Sequence, residues 1–161
     1  MFKRESADTE ILAGRIRSCV IFSDISDSEV KALLRIAHIR DYSAGEKIFT
    51  EGTIGLCFYI IVKGSVSIVS EDPALSKEVR AFKDGDYFSE IHLFTESNHT
   101  VTCIAEEVTR LIIFSKPGFE DLVKINPKLG NKILLKFLDF FGQKLDQMYK
   151  ENIEIKELNK K

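Results

Sequence analysis

The sequence lacks the features that mark nucleic-acid-binding, membrane and secreted proteins. Its 161 residues carry a formal net charge of -2, whereas a nucleic-acid-binding surface needs a clear excess of basic residues. No apolar run approaches the roughly 20 residues that a membrane-spanning helix requires. The first residues, MFKRESADTE, contain no apolar core of the kind found in signal peptides. We therefore expect a soluble, cytoplasmic protein that has neither nucleic acid nor a membrane as its partner.

Cysteine is scarce, and its placement argues against disulfide bonds. The three cysteines, Cys19, Cys57 and Cys103, are odd in number and far apart, and no CxxC pair occurs. Each of them lies in an apolar run. Buried, reduced thiols in a reducing compartment are therefore expected, rather than disulfides or reactive nucleophiles.

Catalytic and metal-binding motifs are also missing. The three histidines, His38, His92 and His99, do not have the spacing of metal ligands, and no HExxH, GxSxG or Walker motif is present. Serines and carboxylates are plentiful, but they occur in predicted caps and turns. We therefore predict that the protein is not an enzyme and that it holds no metal.

The residues that are present predict one mainly β domain over residues 1–161, flanked by α-helices. Amphipathic spacing and the capping box Ser26–Glu29 predict N-terminal helices over about 8–38. Short β-like runs separated by turn signals follow over about 39–114, a spacing typical of a β-sandwich or barrel. Helical patterns return over about 117–158, beginning near Pro117, which suits a first helical turn.

The most informative stretch of the chain runs from Asp84 to Val101 and reads DGDYFSEIHLFTESNHTV. A turn at residues 84–86 ends a β-like segment, and one short amphipathic helical turn follows at residues 89–94. A polar loop then leads back into β-branched residues. Such a short helix adds little to a core, but its first amides have no internal partner and suit a phosphate group.

This stretch resembles the phosphate-binding cassette of the cyclic nucleotide-binding domain family, which includes catabolite-activator-like regulators, kinase regulatory subunits and gated ion channels. Residues 44–52, 58–66 and 82–88 look like the family's first hairpin, its central strand with a glycine turn, and its approach to the cassette. The match runs from about Gly14 to about Leu145. The resemblance implies a jelly-roll β-barrel (double-stranded β-helix) with N-terminal helices and a long C-terminal helix.

The resemblance also implies a ligand-binding site for a cyclic nucleotide, with cAMP as the default candidate and cGMP as the other. In the family, a glutamate beside the short helix accepts a hydrogen bond from the ribose 2′-hydroxyl, and an arginine about nine or ten residues later pairs with the cyclic phosphate. Here Glu90 stands at the glutamate's position, Ser89 replaces a glycine, and His99 replaces the arginine. The candidate site residues are Ser89, Glu90, Ile91, His92, Leu93, His99 and Thr100.

Two functions stay open because of these replacements. Histidine has fewer donors than arginine and is only partly protonated near its reference pKa of about 6.5, so binding through His99 should be weak and should strengthen as the pH falls. The first function is thus a stand-alone sensor that binds cAMP or cGMP. The alternative is a degenerate domain that acts as a dimerisation or protein-interaction module. Relatives of the fold also use histidine or cysteine to hold haem, for which His92 and Cys103 are the candidates, although His92 is expected to pack or to face solvent.

The last predicted helix carries an apolar heptad pattern. Its positions are Leu134, Leu138, Phe141, Leu145, Met148, Asn152 and Ile155. This spacing predicts a parallel homodimer in which the asparagine fixes the register, with a possible bend at Gly142 and the barrel out of reach beyond Phe141. Little sequence follows Leu145, so we expect no DNA-binding domain in this chain, and a signal would pass through the helix to an unidentified protein partner.

Overall fold

Helices flank a β-rich centre in the computed structural model, which describes residues 2–70 and 78–158. The helical elements are α1 (Phe2–Ser18), a 3-10 turn (Val20–Phe22), α2 (Asp27–Ile36), α3 (Lys116–Ile125) and α4 (Pro127–Leu158). The predicted capping box is present, because Ser26 Oγ accepts from the Glu29 amide and Glu29 accepts from the Ser26 amide. The predicted order of helices, strands and helices is confirmed.

Eight strands form two antiparallel sheets of four strands each. They are β1 (Ala37–Tyr42), β2 (Lys47–Phe49), β3 (Cys57–Lys63), β4 (Ser65–Val69), β5 (Glu78–Lys83), β6 (Tyr87–Phe88), β7 (Thr102–Ala105) and β8 (Thr109–Ser115). The first sheet has the order β1-β8-β3-β6, and the second has the order β2-β7-β4-β5. The predicted jelly roll is therefore confirmed as two facing sheets rather than a closed barrel. The loop predicted at residues 71–76 lies outside the described residues.

Strand β3 explains how the core is divided. Its continuous apolar sequence is buried on both faces: Phe58 and Ile60 pack towards the helices, and Tyr59 and Ile61 pack between the two sheets. Side chains alternate along a strand, so a run without polar residues indicates a strand that is covered on both sides. The helices thus lie on the outer face of the first sheet, and the second sheet covers its inner face.

Helix α4 is a single helix of 32 residues that passes through Gly142 without interruption. Its first turn is capped by Asn126, whose Oδ1 accepts from the Leu129 amide at 3.3 Å. Ile133 and Phe137 are fully buried against the rest of the protein. The N-terminal half of α4 is therefore part of the core, and this fixes the direction in which the rest of the helix runs.

The three cysteines follow the sequence-based expectation in the described part of the chain. All three are free, with Cys19 and Cys103 buried and Cys57 half-buried. Burial raises the pKa of the Cys19 and Cys103 thiols to about 12. These two thiols therefore stay protonated near neutral pH, which makes them poor nucleophiles.

Candidate ligand-binding site

The cassette begins with a residue in an unusual backbone conformation. Ser89 has a φ of 66° and is the only non-glycine residue with positive φ among those described. It precedes a four-residue 3-10 turn, Glu90–Leu93, where the sequence predicted a slightly longer helical turn. The left-handed region costs an L-residue roughly 1–2 kcal/mol. Glycine, which the resembled family has at this position, avoids that cost. The serine is held in this conformation by the surrounding fold.

A cavity of about 590 Å³ lies between the cassette, the second sheet and α4. Phe82 and Phe88 contribute apolar walls from β5 and β6. The polar and aromatic groups that matter for its chemistry are Arg80, Asp86, Ser89, Glu90, Phe140 and Lys144. This volume falls within the range of small-molecule sites, and the mixture of apolar walls with a few polar groups is typical of them.

Glu90 is the buried acidic group of the cavity and is only 9% exposed. Lys144 Nζ of α4 donates to Glu90 Oε1 in a short hydrogen bond and also lies 4.6 Å from the centroid of the Phe140 ring. The Phe140 ring in turn contacts Tyr87, with centroids 5.8 Å apart. The expectation that the barrel is out of reach beyond Phe141 was therefore wrong, because a long lysine side chain spans the gap and reaches the cassette.

Ser89 contributes a polar group that has no partner within the described structure. Its Oγ is buried and makes no hydrogen bond. A buried hydroxyl without a partner costs about 1–3 kcal/mol, so such groups are rare in folded proteins. A hydroxyl of this kind on a cavity wall fits a ligand that brings its own polar atom.

Arg80 is the second cation of the cavity, and it extends from β5. Its guanidinium carbon lies 4.5 Å from the centroid of the Phe82 ring. Burial raises the pKa of the Tyr87 hydroxyl to about 12, and the positive charge of Arg80 opposes that rise. Arg80 is exposed and borders the cavity, and it makes no ion pair with a carboxylate of residues 2–70 or 78–158.

The remaining predicted site residues lie outside the walls of this cavity. Ile91 is 45% exposed on the surface, and Leu93 is buried in the core against the helices. Thr100 is exposed. The structure therefore brings together Ser89 and Glu90 from the predicted set and separates them from Ile91, Leu93 and Thr100.

His92 and His99 form a separate buried pair. Their ring centroids are 4.4 Å apart in an edge-on arrangement, and the His99 ring stacks on Phe49 at 3.8 Å. Burial, together with the smaller effect of the neighbouring His92, lowers the pKa of His99 to about 4. Burial also lowers the pKa of His92, although Glu90 opposes this shift. Both imidazoles are therefore neutral near pH 7.

Backbone hydrogen bonds hold His99 in this position. Its amide donates to the Thr53 carbonyl, and its carbonyl accepts from the Gly52 amide, both at 2.8 Å. Gly55 packs so closely that an added Cβ would lie 2.4 Å from His92 Nδ1. The imidazole of His99 is thus fixed against Phe49, away from the cavity where a phosphate could be met.

Arg80 and Lys144 are the two cations of the cavity wall, and neither was among the site residues predicted from the sequence. Residues 80 and 82 are two apart on β5, so they share one face of the sheet. Phe137, Phe140 and Lys144 are three and four apart, so they share one face of α4. Both spacings were visible in the sequence, but nothing in it indicated that these two faces would meet.

Metal and membrane features are absent from the part of the chain that the structure describes. It holds no cluster of three or more His, Cys, Asp or Glu side chains suited to a metal ion. None of its helices combines the length and the apolar character needed to cross a bilayer.

Comparison with known proteins identifies the family. The family model of the cyclic nucleotide-binding domain matches residues 39–126, which include all of β2–β8 and α3 and most of β1. The chain belongs to the cyclic nucleotide-binding domain family. The domains of this family are regulatory rather than catalytic.

Curated relatives match the chain over most of its length but only a small part of theirs. The potassium/sodium hyperpolarization-activated cyclic nucleotide-gated channel 2 of Mus musculus is 28% identical over 137 residues, which are 85% of this chain and 15% of the channel. Channel 4 of Homo sapiens is 28% identical over 137 residues, which are 85% of this chain and 11% of that protein. The chain therefore spans 15% or less of the length of these relatives.

Solved structures share the fold at low sequence identity. A cyclic nucleotide-binding domain from Methylobacillus flagellatus has a TM-score of 0.76 and 21% identity, with 90% of this chain and 82% of that chain covered. The catabolite activator protein of Thermus thermophilus has a TM-score of 0.70 and 20% identity, with 81% and 60% covered. These similarities confirm the jelly-roll fold with flanking helices.

Proposed function

We propose that the protein is a regulatory sensor that binds a cyclic nucleotide, cAMP or cGMP, in the cavity beside Glu90, and that it is not an enzyme. One observation carries the proposal: Glu90, to which the resemblance assigns the position of the family's cassette glutamate, is buried on the wall of an open cavity of about 590 Å³. The free, buried Cys19 and Cys103 support a reducing cytoplasm as its location. The unpartnered Ser89 hydroxyl supports a ligand that brings polar atoms.

Glu90 is the group that holds the ribose in this proposal. A carboxylate accepts hydrogen bonds, and the family resemblance assigns it the ribose 2′-hydroxyl. Lys144 now donates to that carboxylate, so a bound ribose would compete with the lysine for Glu90 or share it. The aromatic rings of Tyr87 and Phe140 on the cavity wall offer faces on which a nucleobase can stack.

The signal leaves through α4 in this proposal. Lys144 and Phe140 belong to this helix, and both contact the cassette. A ligand that changes the Lys144–Glu90 contact therefore changes the free energy with which the C-terminal half of α4 is held to the barrel. A ligand shifts such an equilibrium only by its difference in affinity for the two positions of the helix.

Calorimetric titration of cAMP and cGMP tests the binding site. We expect at least one of them to bind with a Kd below about 1 mM, which is about -4.1 kcal/mol. Glu90→Gln should weaken that binding by roughly tenfold, because an amide accepts more weakly than a carboxylate. The control is Glu120→Gln on the exposed surface of α3, which should leave binding unchanged. Absence of heat with both nucleotides at millimolar concentration would reject the proposal.

A second candidate function, a dimerisation or protein-interaction module, is favoured by the surface of α4. Several large apolar side chains of its C-terminal half are between 51% and 64% exposed: Leu145, Met148, Tyr149, Ile153 and Ile155. Exposed apolar stripes of this kind mark interaction surfaces. Of the predicted heptad positions, Leu134 and Phe141 pack against the protein's own core. The proposed parallel homodimer therefore uses Leu138, Leu145, Met148, Asn152 and Ile155.

Sedimentation measures this proposed dimer. We expect a dimer at tens of micromolar protein. A dissociation constant of about 1 μM corresponds to a binding free energy of about -8.2 kcal/mol, and a dimer of that strength is well populated at this concentration. Leu145→Lys should shift the protein to monomer, because it places a charge in the apolar seam. Gln147→Lys, at an exposed position two residues away, should not. A wild-type monomer at this concentration, or equal effects of both variants, would count against the dimer.

A further inference from the structure

We propose that Arg80 of β5, together with the Ser89 hydroxyl, holds the anionic group of the ligand. This inference rests on the proposed function and deepens it, because it reassigns the anion site from His99, which lies outside the cavity wall, to Arg80 on that wall. It predicts a ligand with one anionic group, such as an organic phosphate, joined to a flat apolar body.

Among the charged side chains of the cavity wall, Arg80 is the best candidate to bind an anion. Lys144 already donates to Glu90, and Asp86 Oδ2 accepts from the Lys83 amide at 2.9 Å. Arg80, by contrast, lies over the face of the Phe82 ring and makes no ion pair within residues 2–70 and 78–158. Because guanidinium is always charged and presents a planar fork of donors, it is well suited to phosphate oxygens.

The position of His99 excludes it from this role in the structure as it stands. The ring is 5% exposed, stacks on Phe49 and is absent from the cavity wall. Moving the ring into the cavity would break its stack on Phe49, and two backbone hydrogen bonds to Gly52 and Thr53 hold the residue where it is. A neutral, buried imidazole also lacks the charge that an anion needs.

Ser89 supplies the second, independent observation. Its Oγ is buried on the wall of the same cavity without a hydrogen-bond partner, and its backbone is kept in the left-handed region that glycine would occupy more easily. Strained positions that persist in a fold are often functional. A hydroxyl can donate to an anionic oxygen. Where a glycine would let the ligand lie close to the backbone, the serine instead offers the ligand a side-chain hydrogen bond.

The apolar walls set the remaining chemistry of the ligand. Phe82 and Phe88 border the cavity close to Arg80, and Phe140 borders it on the α4 side. A ligand held by its anionic end at Arg80 therefore has aromatic faces for the rest of its body. A nucleotide meets these requirements, and so does a smaller organic phosphate that carries an apolar ring.

Calorimetry with cAMP, cGMP and AMP on Arg80→Gln tests the assignment. We expect the variant to lose roughly ten- to a hundredfold in affinity for each probe that the wild type binds. Lys83→Gln is the matched control, because it removes the same charge from the same strand at an exposed position outside the cavity wall. It should change affinity by less than about threefold. Thermal melting of both variants confirms that they are folded.

The outcomes separate this inference from the proposed function. Binding of cAMP or cGMP that is equal in the wild type and Arg80→Gln overturns the role of Arg80 and leaves the sensor function intact. Binding of AMP alone, lost in Arg80→Gln, supports the anion site and overturns the cyclic ligand. If none of the three probes binds at millimolar concentration, both proposals are overturned.

Discussion

Phe137→Ala is expected to lower the free energy of unfolding by about 3–5 kcal/mol, the range for removal of a buried aromatic ring. The side chain is 1% exposed. Its ring contacts Phe58 of β3 at 6.0 Å, Phe94 of the cassette at 4.7 Å, Phe119 of α3 at 6.1 Å and Phe141 of α4 at 5.9 Å between centroids. One substitution therefore loosens the contacts among the sheet, the cassette and both C-terminal helices.

Urea denaturation at equilibrium measures this loss. Leu135→Ala provides the control, because it removes a large apolar side chain from the same helix at a position that is 67% exposed. That change should stay within about 0.5 kcal/mol. Similar losses for both variants would show that α4 is not anchored through Phe137. A further readout is the affinity for whichever nucleotide binds, which should fall with Phe137→Ala because the cassette loses the ring that supports Phe94.

Acidification from pH 7 towards pH 4 is expected to remove on the order of 3 kcal/mol of stability through His99. The pKa of its imidazole is lowered to about 4 in the folded protein, against about 6.5 in an unfolded chain. The unfolded state therefore binds more protons between these values. The stabilisation is present in full above about pH 6.5 and is lost as the pH falls towards about 4. The lowered pKa of His92 acts in the same direction.

The range from pH 7 to pH 5 separates the effect of the buried histidines from that of Asp and Glu, which titrate mostly below it. His99 alone should contribute a decrease of about 2 kcal/mol over this range. His99→Gln should remove most of that pH dependence, whereas His38→Gln, at an exposed position in β1, should retain it. NMR titration of the His99 ring provides a direct check. A ring that titrates near 6.5 in the folded protein would contradict the buried, stacked geometry.

Much of the fold could be predicted because its signals are local. The capping box at Ser26 sets the start of α2, and the apolar run of β3 indicates a strand covered on both faces. The cassette pattern likewise brought Glu90 and Ser89 to attention, since both are defined by their place beside a short turn. Local sequence was sufficient wherever hydrogen bonds within a few residues determine the conformation.

The rest of the site depends on contacts between distant segments. Whether His99 contacts a ligand is decided by its stacking on Phe49, which lies on the distant strand β2. Whether Lys144 reaches Glu90 is decided by the direction in which Phe137 anchors α4. Arg80 gains its role only because β5 faces the cassette across a cavity. The periodicity of a single segment cannot predict such contacts between distant segments.

Neighbouring residues on α4 face in different directions: Lys144 reaches the cassette carboxylate, while Leu145 is 51% exposed on the outer surface. One continuous helix therefore carries both the contact with Glu90 and the exposed apolar surface. If a ligand changes how tightly α4 is held, it changes the affinity of a partner for the outer face of this helix. That partner must then change the affinity for the ligand by the same factor, because such coupling is reciprocal. Under the proposed function, protein concentration, or the abundance of a partner that covers that face, would then change the response to the ligand.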